Sequence, residues 1–223
     1  LHPVPALRHP LRVALGVARV EQTLKEGLIL CCAFDGSGED GSAGGRNLKL
    51  IGDIGFVAGR SGQALNLRGD GTQFAVRPND DAIYNFGTND FTASVCVNFN
   101  QTHGEQTLIE KFSGAAGPGW TLTKLDNNAL QFFARPSVVV TTKPIPIPKG
   151  VWHNILVRKS GSLCQIMYNG ALLTEGCALG PIPDTTAPLL VGKRNPYSGQ
   201  NFPVDGRIDE VAICSRALSD DEI

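Results

Sequence analysis

The sequence predicts an all-β fold, either a β-sandwich or a jelly roll. Short apolar or alternating runs recur along most of the 223 residues, and 26 glycines and 14 prolines are distributed between them. Alternation with a period of two is typical of half-buried strands, and dispersed glycine and proline are typical of turns. Many short strands with a turn about every 8–12 residues favour a sandwich or a jelly roll.

The strand-like runs begin after residue 27. Residues 28–34 (LILCCAF) form a continuous apolar run of buried-strand length, and residues 73–77 (QFAVR) alternate, with Phe74 and Val76 on one face. The remaining runs follow in chain order at 91–99, 120–124, 130–134, 138–142, 152–158, 164–168, 188–192 and 207–214.

The clearest of these strands is FTASVCVNF, residues 91–99. Its odd-numbered positions are all apolar and share one face, whereas Ser94, Cys96 and Asn98 point to the other face. We therefore expect the odd-numbered side chains to lie in the core and the three polar or small side chains to form an outer row.

The dipeptide Asn169-Gly170 predicts a two-residue hairpin, because both central positions of a type I′ turn need positive φ. Such a turn pairs positions whose numbers sum to 339, so Cys164 faces Glu175, and Cys177 lies two residues further on along the same face. A Cys164–Cys177 disulfide is then a candidate, provided that a bulge brings the two cysteines closer.

The first part of the chain has a different pattern. Leu11, Leu15, Ala18 and, less regularly, Leu24 lie near one helical face, and the pattern ends at Gly27. We interpret residues 1–27 as a short helical or extended lead-in, followed by a single β-domain over residues 28–223.

Composition limits the classes of partner. The 20 basic and 21 acidic residues give a formal net charge of −1, so the clustered basic surface that nucleic acid requires is not indicated. No apolar run approaches the roughly 20 residues of a membrane-spanning helix. We expect neither a nucleic-acid partner nor a membrane span.

The six cysteines leave two interpretations open. No CxxC pair and no neighbouring histidine pair supplies zinc-ligand spacing, which argues against a metal cluster. An even number permits disulfides, but free cysteine also behaves as a small buried apolar residue. The cysteines are at positions 31, 32, 96, 164, 177 and 214.

Several stretches in order resemble the laminin-G-like jelly roll of the concanavalin A-like lectin/glucanase superfamily. They are FDGSGEDGS (34–42), GRSGQALNLRGDG (59–71), FTASVCVNF (91–99), WHNILVRKSG (152–161), MYNGALL (167–173) and GRIDEVAICSRALSDDEI (206–223). The resemblance covers about residues 28–223 and implies two antiparallel sheets of about six or seven strands. It also implies neighbouring first and last strands, which makes Cys31 or Cys32 with Cys214 a second disulfide option.

The glucanases of this superfamily use paired carboxylates on one strand, and that pattern is absent from this sequence. Glu105 and Glu110 have opposite parity along a strand, and Glu210 has no partner near it in sequence. There is no GxSxG motif, and the four histidines stand apart. We expect no catalytic residues, and we expect His153 to be packed or hydrogen-bonded at a strand end.

Calcium is the cofactor that the resemblance favours. Asp35 follows the first strand and Asp209 begins the last, so their carboxylates can approach one ion if these strands are neighbours. The alternative is that both aspartates cap turns, as aspartate readily does.

The predicted function is a non-catalytic recognition module that binds a glycan or a protein surface. The candidate ligand-binding residues are Ser94 and Asn98 on the outer row and Tyr197 in the loop NPYSGQNF, because hydroxyl, amide and aromatic groups suit sugars. We expect the module to belong to a larger secreted or cell-surface protein. The alternatives are a carbohydrate-active enzyme of the glucanase type and a purely structural or assembly domain.

Overall fold

The structure, a computed structural model, describes residues 26–78, 82–114, 117–195 and 200–223. The predicted lead-in falls almost entirely within residues 1–25, and Tyr197 falls within 196–199; both lie outside the described residues.

The described residues form strands joined by short turns. The strands are β1 (Leu28–Cys32), β2 (Lys49–Ile51), β3 (Gly55–Ala58), β4 (Gln63–Arg68), β5 (Phe74–Arg77), β6 (Phe91–Phe99), β7 (Gln106–Phe112), β8 (Gly119–Lys124), β9 (Leu130–Ala134), β10 (Val138–Thr141), β11 (Trp152–Ser160), β12 (Leu163–Tyr168), β13 (Ala171–Cys177), β14 (Leu189–Val191) and β15 (Asp205–Cys214).

These strands build two antiparallel sheets. Sheet A has the order β13-β12-β11-β6-β15-β4-β3, with β1 also paired to β15, and sheet B has the order β10-β9-β8-β7-β14-β5-β2. Two 3₁₀ turns, Ala82–Tyr84 and Asp220–Glu222, complete the elements named here. Within the described ranges, no helix has the length and apolar character needed to cross a bilayer. The predicted all-β jelly-roll sandwich is confirmed.

The core lies between the sheets and is built from the inward-facing positions of both. Phe91 of β6 stacks on Phe86 with ring centroids 4.1 Å apart, and Trp120 of β8 lies 5.5 Å from Phe86. The indole N–H of Trp120 donates to the carbonyl of Tyr84 at 2.9 Å, so this buried aromatic cluster has no unpaired indole donor. The period-two pattern of residues 91–99 therefore does place the apolar row inside.

Strand β6 is central in sheet A, with β11 on one side and β15 on the other. Ser94 is opposite Leu156 and Ala212, and Cys96 is opposite Asn154 and Asp209. A register shift between Asp209 and Ala212 shows that β15 carries a bulge, which keeps both residues on the outer face although they are three positions apart. The outer row predicted for β6 is thus part of a three-strand outer surface.

The Asn169-Gly170 hairpin is formed, but the disulfide predicted beside it is not. Tyr168 pairs with Ala171 as the two-residue turn requires, and a register shift after that pair then places Cys164 opposite Gly176. A shift of one residue moves a side chain to the opposite face, so Cys164 lies in the core while Cys177 is exposed. The bulge separates the two sulfurs instead of bringing them together.

The second disulfide option, Cys31 or Cys32 with Cys214, is not formed in this structure and stays a prediction. All six cysteines are free thiols in the structure, and four of them are buried: Cys32, Cys96, Cys164 and Cys214. The interpretation of these cysteines as small buried apolar residues accounts for their positions.

Candidate functional site

A depression of about 570 Å³ opens on the outer face of sheet A. Its floor comes from the outward positions of β6, β11 and β15, and its walls come from the turn before β4, the Asn169-Gly170 turn and the segment after β15. The lining residues are Arg60, Ser94, Trp152, Asn154, Leu156, Asn169, Gly170, Ala212, Leu218, Glu222 and Ile223. Its volume is in the range of small-molecule sites in proteins.

Strand β11 supplies three of these side chains through simple alternation. Its sequence WHNILVRKS places Trp152, Asn154 and Leu156 on the outer face, while His153 and Ile155 point inward and are buried. Trp152 and Asn154 are half-buried and so remain partly accessible from solvent.

A hydrogen-bonded group forms the floor of the depression. The Asn154 amide donates to Ser94 Oγ at 3.0 Å and to Cys96 Sγ at 3.6 Å. Arg60 Nη1 also donates to Cys96 Sγ at 3.6 Å. Burial raises the pKa of the Cys96 thiol, with Asn154 and Arg60 acting in the opposite direction. The floor is therefore a neutral thiol beneath an amide, a hydroxyl and a guanidinium group.

The hairpin turn is fastened to the same strand. Asn169 and Gly170 have φ values of 50° and 80°, as the predicted turn requires. The Asn154 N–H donates to Asn169 Oδ1 at 2.8 Å, and the Asn169 N–H donates to the Asn154 carbonyl at 2.8 Å. These contacts fix Asn169 at the rim of the depression.

The three predicted ligand-binding residues are not all found at the depression. Ser94 lines the depression, whereas Asn98 is buried between Trp152 and Arg207 on the neighbouring strands and does not line it. Tyr197 lies outside the described residues. A ligand-binding role for these three residues stays a prediction.

Sequence reasoning missed the contributions of Trp152, Asn154 and Arg60. The alternation in WHNILVR contained the signal for the first two, because the strand that shares β6's outer row must present Trp152 and Asn154 together. Nothing in the sequence indicated Arg60, which reaches the depression from a turn of another strand pair.

His153 has the structural role that the sequence predicted. It is buried, its Nε2 lies 2.8 Å from the Pro148 carbonyl, and its Nδ1 lies 2.7 Å from the Tyr168 hydroxyl. The imidazole also stacks on the Tyr168 ring, with centroids 5.5 Å apart. Both ring nitrogens are therefore engaged at the start of β11.

The candidate calcium residues, Asp35 after β1 and Asp209 on the central strand β15, accept backbone hydrogen bonds. Asp209 is fully buried; its Oδ2 accepts the N–H groups of Arg60 and Ser61 at 2.7 and 3.2 Å, and its Oδ1 accepts the N–H of Glu210 at 2.8 Å. Asp35 Oδ1 accepts the N–H of Gln63 at 2.6 Å.

These contacts correspond to the turn-capping alternative. Burial raises the pKa of Asp209, and the three backbone donors oppose that shift. A cation on Asp209 would compete with N–H groups that already point at both of its oxygens, so the present donor geometry does not fit a calcium site centred on this carboxylate. In the part of the chain that is described, no group of three or more histidine, cysteine, aspartate or glutamate side chains could hold a metal. Calcium binding stays a prediction.

The outer face of sheet B carries a second polar group. Glu110 of β7 is fully buried, and Arg194 lies 3.4 Å from it and 3.0 Å from Glu105. The backbone N–H of Asn195 also donates to Glu110, and the Arg194 guanidinium lies 4.6 Å from the Phe202 ring centroid. Arg194 thus contacts both Glu105 and Glu110, although their opposite parity along a regular strand would put them on different faces. Glu105 precedes β7, and β7 shifts register after Thr107, so a regular alternation does not apply to this pair.

Burial dominates the electrostatics of this second group. Desolvation raises the pKa of Glu110 to about 7, against the lowering effect of the Asn195 N–H and of Arg194. At the end of β8, on the side of the core residues Trp120 and Leu122, burial also lowers the pKa of Lys124 to about 8, and its Nζ donates to the carbonyls of Thr102 and Gly104. The Glu110–Arg194 group is therefore polar but covered by the protein.

Comparison with known proteins identifies the class. The Laminin_G_3 family model, described as the concanavalin A-like lectin/glucanases superfamily, matches residues 69–223. The chain belongs to this family. Among curated proteins, none matches the sequence.

Solved structures share the fold at low identity. The binding domain of Paraclostridial Mosquitocidal Protein 1 has a TM-score of 0.70 and 19% identity, over 89% of this chain and 51% of that chain. Domain 4 of AbnA, a GH43 extracellular arabinanase from Geobacillus stearothermophilus in complex with arabinotriose, has a TM-score of 0.68 and 19% identity, over 87% and 95%. The binding domain of botulinum neurotoxin serotype D has a TM-score of 0.67 and 15% identity, over 91% and 51%.

Two of these three similar structures are toxin binding domains, and the chain spans about half the length of each. It spans nearly the whole of the AbnA domain. At these identities the likeness establishes the fold and nothing finer.

Proposed function

We propose that this chain is a non-catalytic recognition module that binds a glycan in the sheet A depression. The observation that carries the proposal is the half-buried Trp152 beside the hydrogen-bonded Ser94–Asn154 pair in an open depression of about 570 Å³. A sugar ring offers an apolar face to an aromatic side chain and hydroxyl groups to an amide and a hydroxyl, so this set of groups suits it.

The similar structures support a binding role. Domain 4 of AbnA is a complex with arabinotriose, and the two toxin structures are binding domains. By analogy, we propose that the module is part of a larger secreted or cell-surface protein.

The carboxylates near the depression favour binding over catalysis. Glu222 lines it, but both of its oxygens accept from Arg216, at 2.6 and 2.9 Å. Arg216 holds the pKa of Glu222 down to about 2, so Glu222 stays ionised and is unsuited to act as a general acid at neutral pH. Glu105 and Glu110 lie on the other sheet and share Arg194, with Glu110 fully buried.

The test compares two half-buried aromatic residues on opposite faces. A glycan array identifies the ligand, and titration then measures the affinity of wild type, Trp152→Ala and Phe133→Ala, the last on the outer face of sheet B. We expect Trp152→Ala to weaken binding more than about 10-fold, or about 1.4 kcal/mol, and Phe133→Ala to change it less than about 2-fold.

Three outcomes would contradict the proposal. The first is an array without any glycan bound, which would leave a protein surface or a structural role as the function. The second is full glycan affinity in Trp152→Ala. The third is release of reducing sugar from the bound polysaccharide, which would favour the enzyme alternative.

A further inference from the structure

Some hydrogen-bonding groups of the sheet A depression are already paired within the protein, and others are not. The Asn154 amide N–H groups donate to Ser94 and Cys96, and Asn169 Oδ1 accepts the Asn154 backbone N–H. Arg60 makes one side-chain contact, from Nη1 to Cys96 Sγ. The Glu222 carboxylate accepts from Arg216 and from the Ser219 N–H.

The groups that remain for a ligand are mostly donors. A guanidinium carries five N–H donors, a primary amide carries two, and a hydroxyl carries one. Among the described residues, the other Arg60 N–H groups, the Asn169 amide N–H groups and the Ser94 hydroxyl hydrogen have no protein acceptor. Asn154 Oδ1 is the acceptor without a donor among the described residues, and the Ser94 and Glu222 oxygens keep further lone pairs, so the donors still outnumber the acceptors. A sugar hydroxyl is both donor and acceptor, whereas a carboxylate only accepts, so this excess of donors matches a carboxylate.

The charge in the depression points the same way. Arg60 is exposed, and no carboxylate of the described residues forms an ion pair with its guanidinium. Asp209 faces the backbone N–H of Arg60, not its side chain. Glu210 is close enough for Arg60 to lower its pKa, but burial, Asp209 and Asp35 raise it. The cation at the rim is thus available to an anionic group.

We infer that the ligand of this depression is an acidic glycan, a sugar residue that bears a carboxylate, with its ring against Trp152 and its carboxylate on Arg60. This inference rests on the proposed function and adds the chemical class of the sugar. Planar guanidinium and carboxylate groups pair through two parallel hydrogen bonds, which gives orientation as well as affinity.

The experiment uses pairs of glycans that differ only at the carboxyl group. Uronic-acid oligosaccharides and their carboxyl-reduced, neutral counterparts are placed on one array, and the best acidic ligand is titrated with wild type, Arg60→Gln and Arg135→Gln. Arg135 is an exposed arginine whose guanidinium lies over Phe133 on the other sheet, so its variant matches the change in net charge. The Arg60→Gln variant keeps the backbone N–H that Asp209 accepts.

We expect wild type to prefer the acid over its reduced counterpart by more than about 10-fold. Arg60→Gln should weaken binding of the acid about 10-fold and of the neutral counterpart less than about 2-fold, while Arg135→Gln changes neither. Equal or better binding of the neutral counterpart overturns the acidic class but leaves glycan recognition standing. An acid preference that Arg60→Gln leaves unchanged also overturns it. An array on which nothing binds overturns both this inference and the proposed function.

Discussion

The outer faces of the two sheets contain similar groups in opposite settings. On sheet A, Arg60, Trp152 and Asn154 surround an open depression. On sheet B, Arg194 lies over Phe202 and binds a glutamate that is fully buried. Each of these two groups combines an arginine, an aromatic ring and polar side chains, but the depression on sheet A is open whereas the Glu110–Arg194 group on sheet B is covered.

Residues 192–195 and 200–204, between β14 and β15, make this difference. They cover part of sheet B, where the Arg194 N–H donates to the Asn201 carbonyl at 2.7 Å and the Thr107 N–H donates to the Phe202 carbonyl at 2.8 Å. On sheet A, the segment after β15 covers only part of the face. Leu218 and Glu222 form a wall of the depression, held by Arg158 and Arg216.

Polar content alone does not mark a binding face. A polar group that is covered must find its partners within the protein, and its loss then costs stability. A polar group that is open has unpaired donors left for a ligand, and its loss should cost affinity. The two faces therefore predict opposite phenotypes for similar substitutions.

The largest expected effect is on the closed face. Glu110→Ala removes the acceptor for Asn195 N–H and one partner of Arg194, so we expect a loss of about 3 kcal/mol in the free energy of unfolding. Denaturant unfolding measures it. Glu105→Ala is the matched control: it contacts the same Arg194 but is half-buried, and it should cost less than about 1 kcal/mol. Equal losses in the two variants would contradict the role of burial.

The pH dependence of stability tests the Glu110 carboxylate. Its pKa is raised from 4.5 to about 7 in the fold, so between these values the native state retains a proton that the unfolded state has released. Stability from this group is therefore greatest below pH 4.5 and falls as the pH rises toward 7, by at most about 1.4 kcal/mol per pH unit.

Glu110→Gln should flatten this part of the profile. The charged side chains with which Glu110 interacts are Arg194 and, more distantly, Lys193, and Glu105 shares Arg194. Thermal melting of wild type and Glu110→Gln from pH 4 to 8 gives the comparison. Parallel profiles for the two proteins would show that another group titrates in this window.

A smaller effect is expected at a covered carboxylate of sheet A. Asp209→Asn keeps the shape but replaces a charged acceptor of three N–H groups with a neutral amide, so we expect a loss of about 1 kcal/mol in chelator. If calcium binds here as the sequence suggested, wild type gains stability in millimolar calcium and the variant does not. Identical melting of wild type in both buffers, with no metal found by elemental analysis, leaves turn capping as the role.

The sequence predicted the structure correctly where one local pattern determines the position of a side chain or the type of a turn. Alternation in residues 91–99 placed Phe91 inside and Ser94 outside, and Asn169-Gly170 specified its own turn. The bulge in β13 could not be predicted from that turn, and a shift of one residue was enough to put Cys164 and Cys177 on opposite faces.

The site was less predictable because it combines distant elements. Arg60 reaches Cys96 from a turn 36 positions earlier in the chain, and its place depends on the Asp209 carboxylate that holds the turn. The joining of Glu105 and Glu110 depends on Arg194, which is more than 80 positions away. Neither arrangement leaves a local pattern in the sequence.

The most direct test of the account asks which face the ligand touches. Isotope-labelled protein is titrated with the strongest glycan from the array while the amide and indole N–H signals are followed by NMR. We expect shifts at the Trp152 indole and at the Asn154 and Asn169 side-chain amides, with the signals of Thr121 and Thr123 on sheet B unchanged. Shifts confined to Thr121, Thr123 and their neighbours would contradict it.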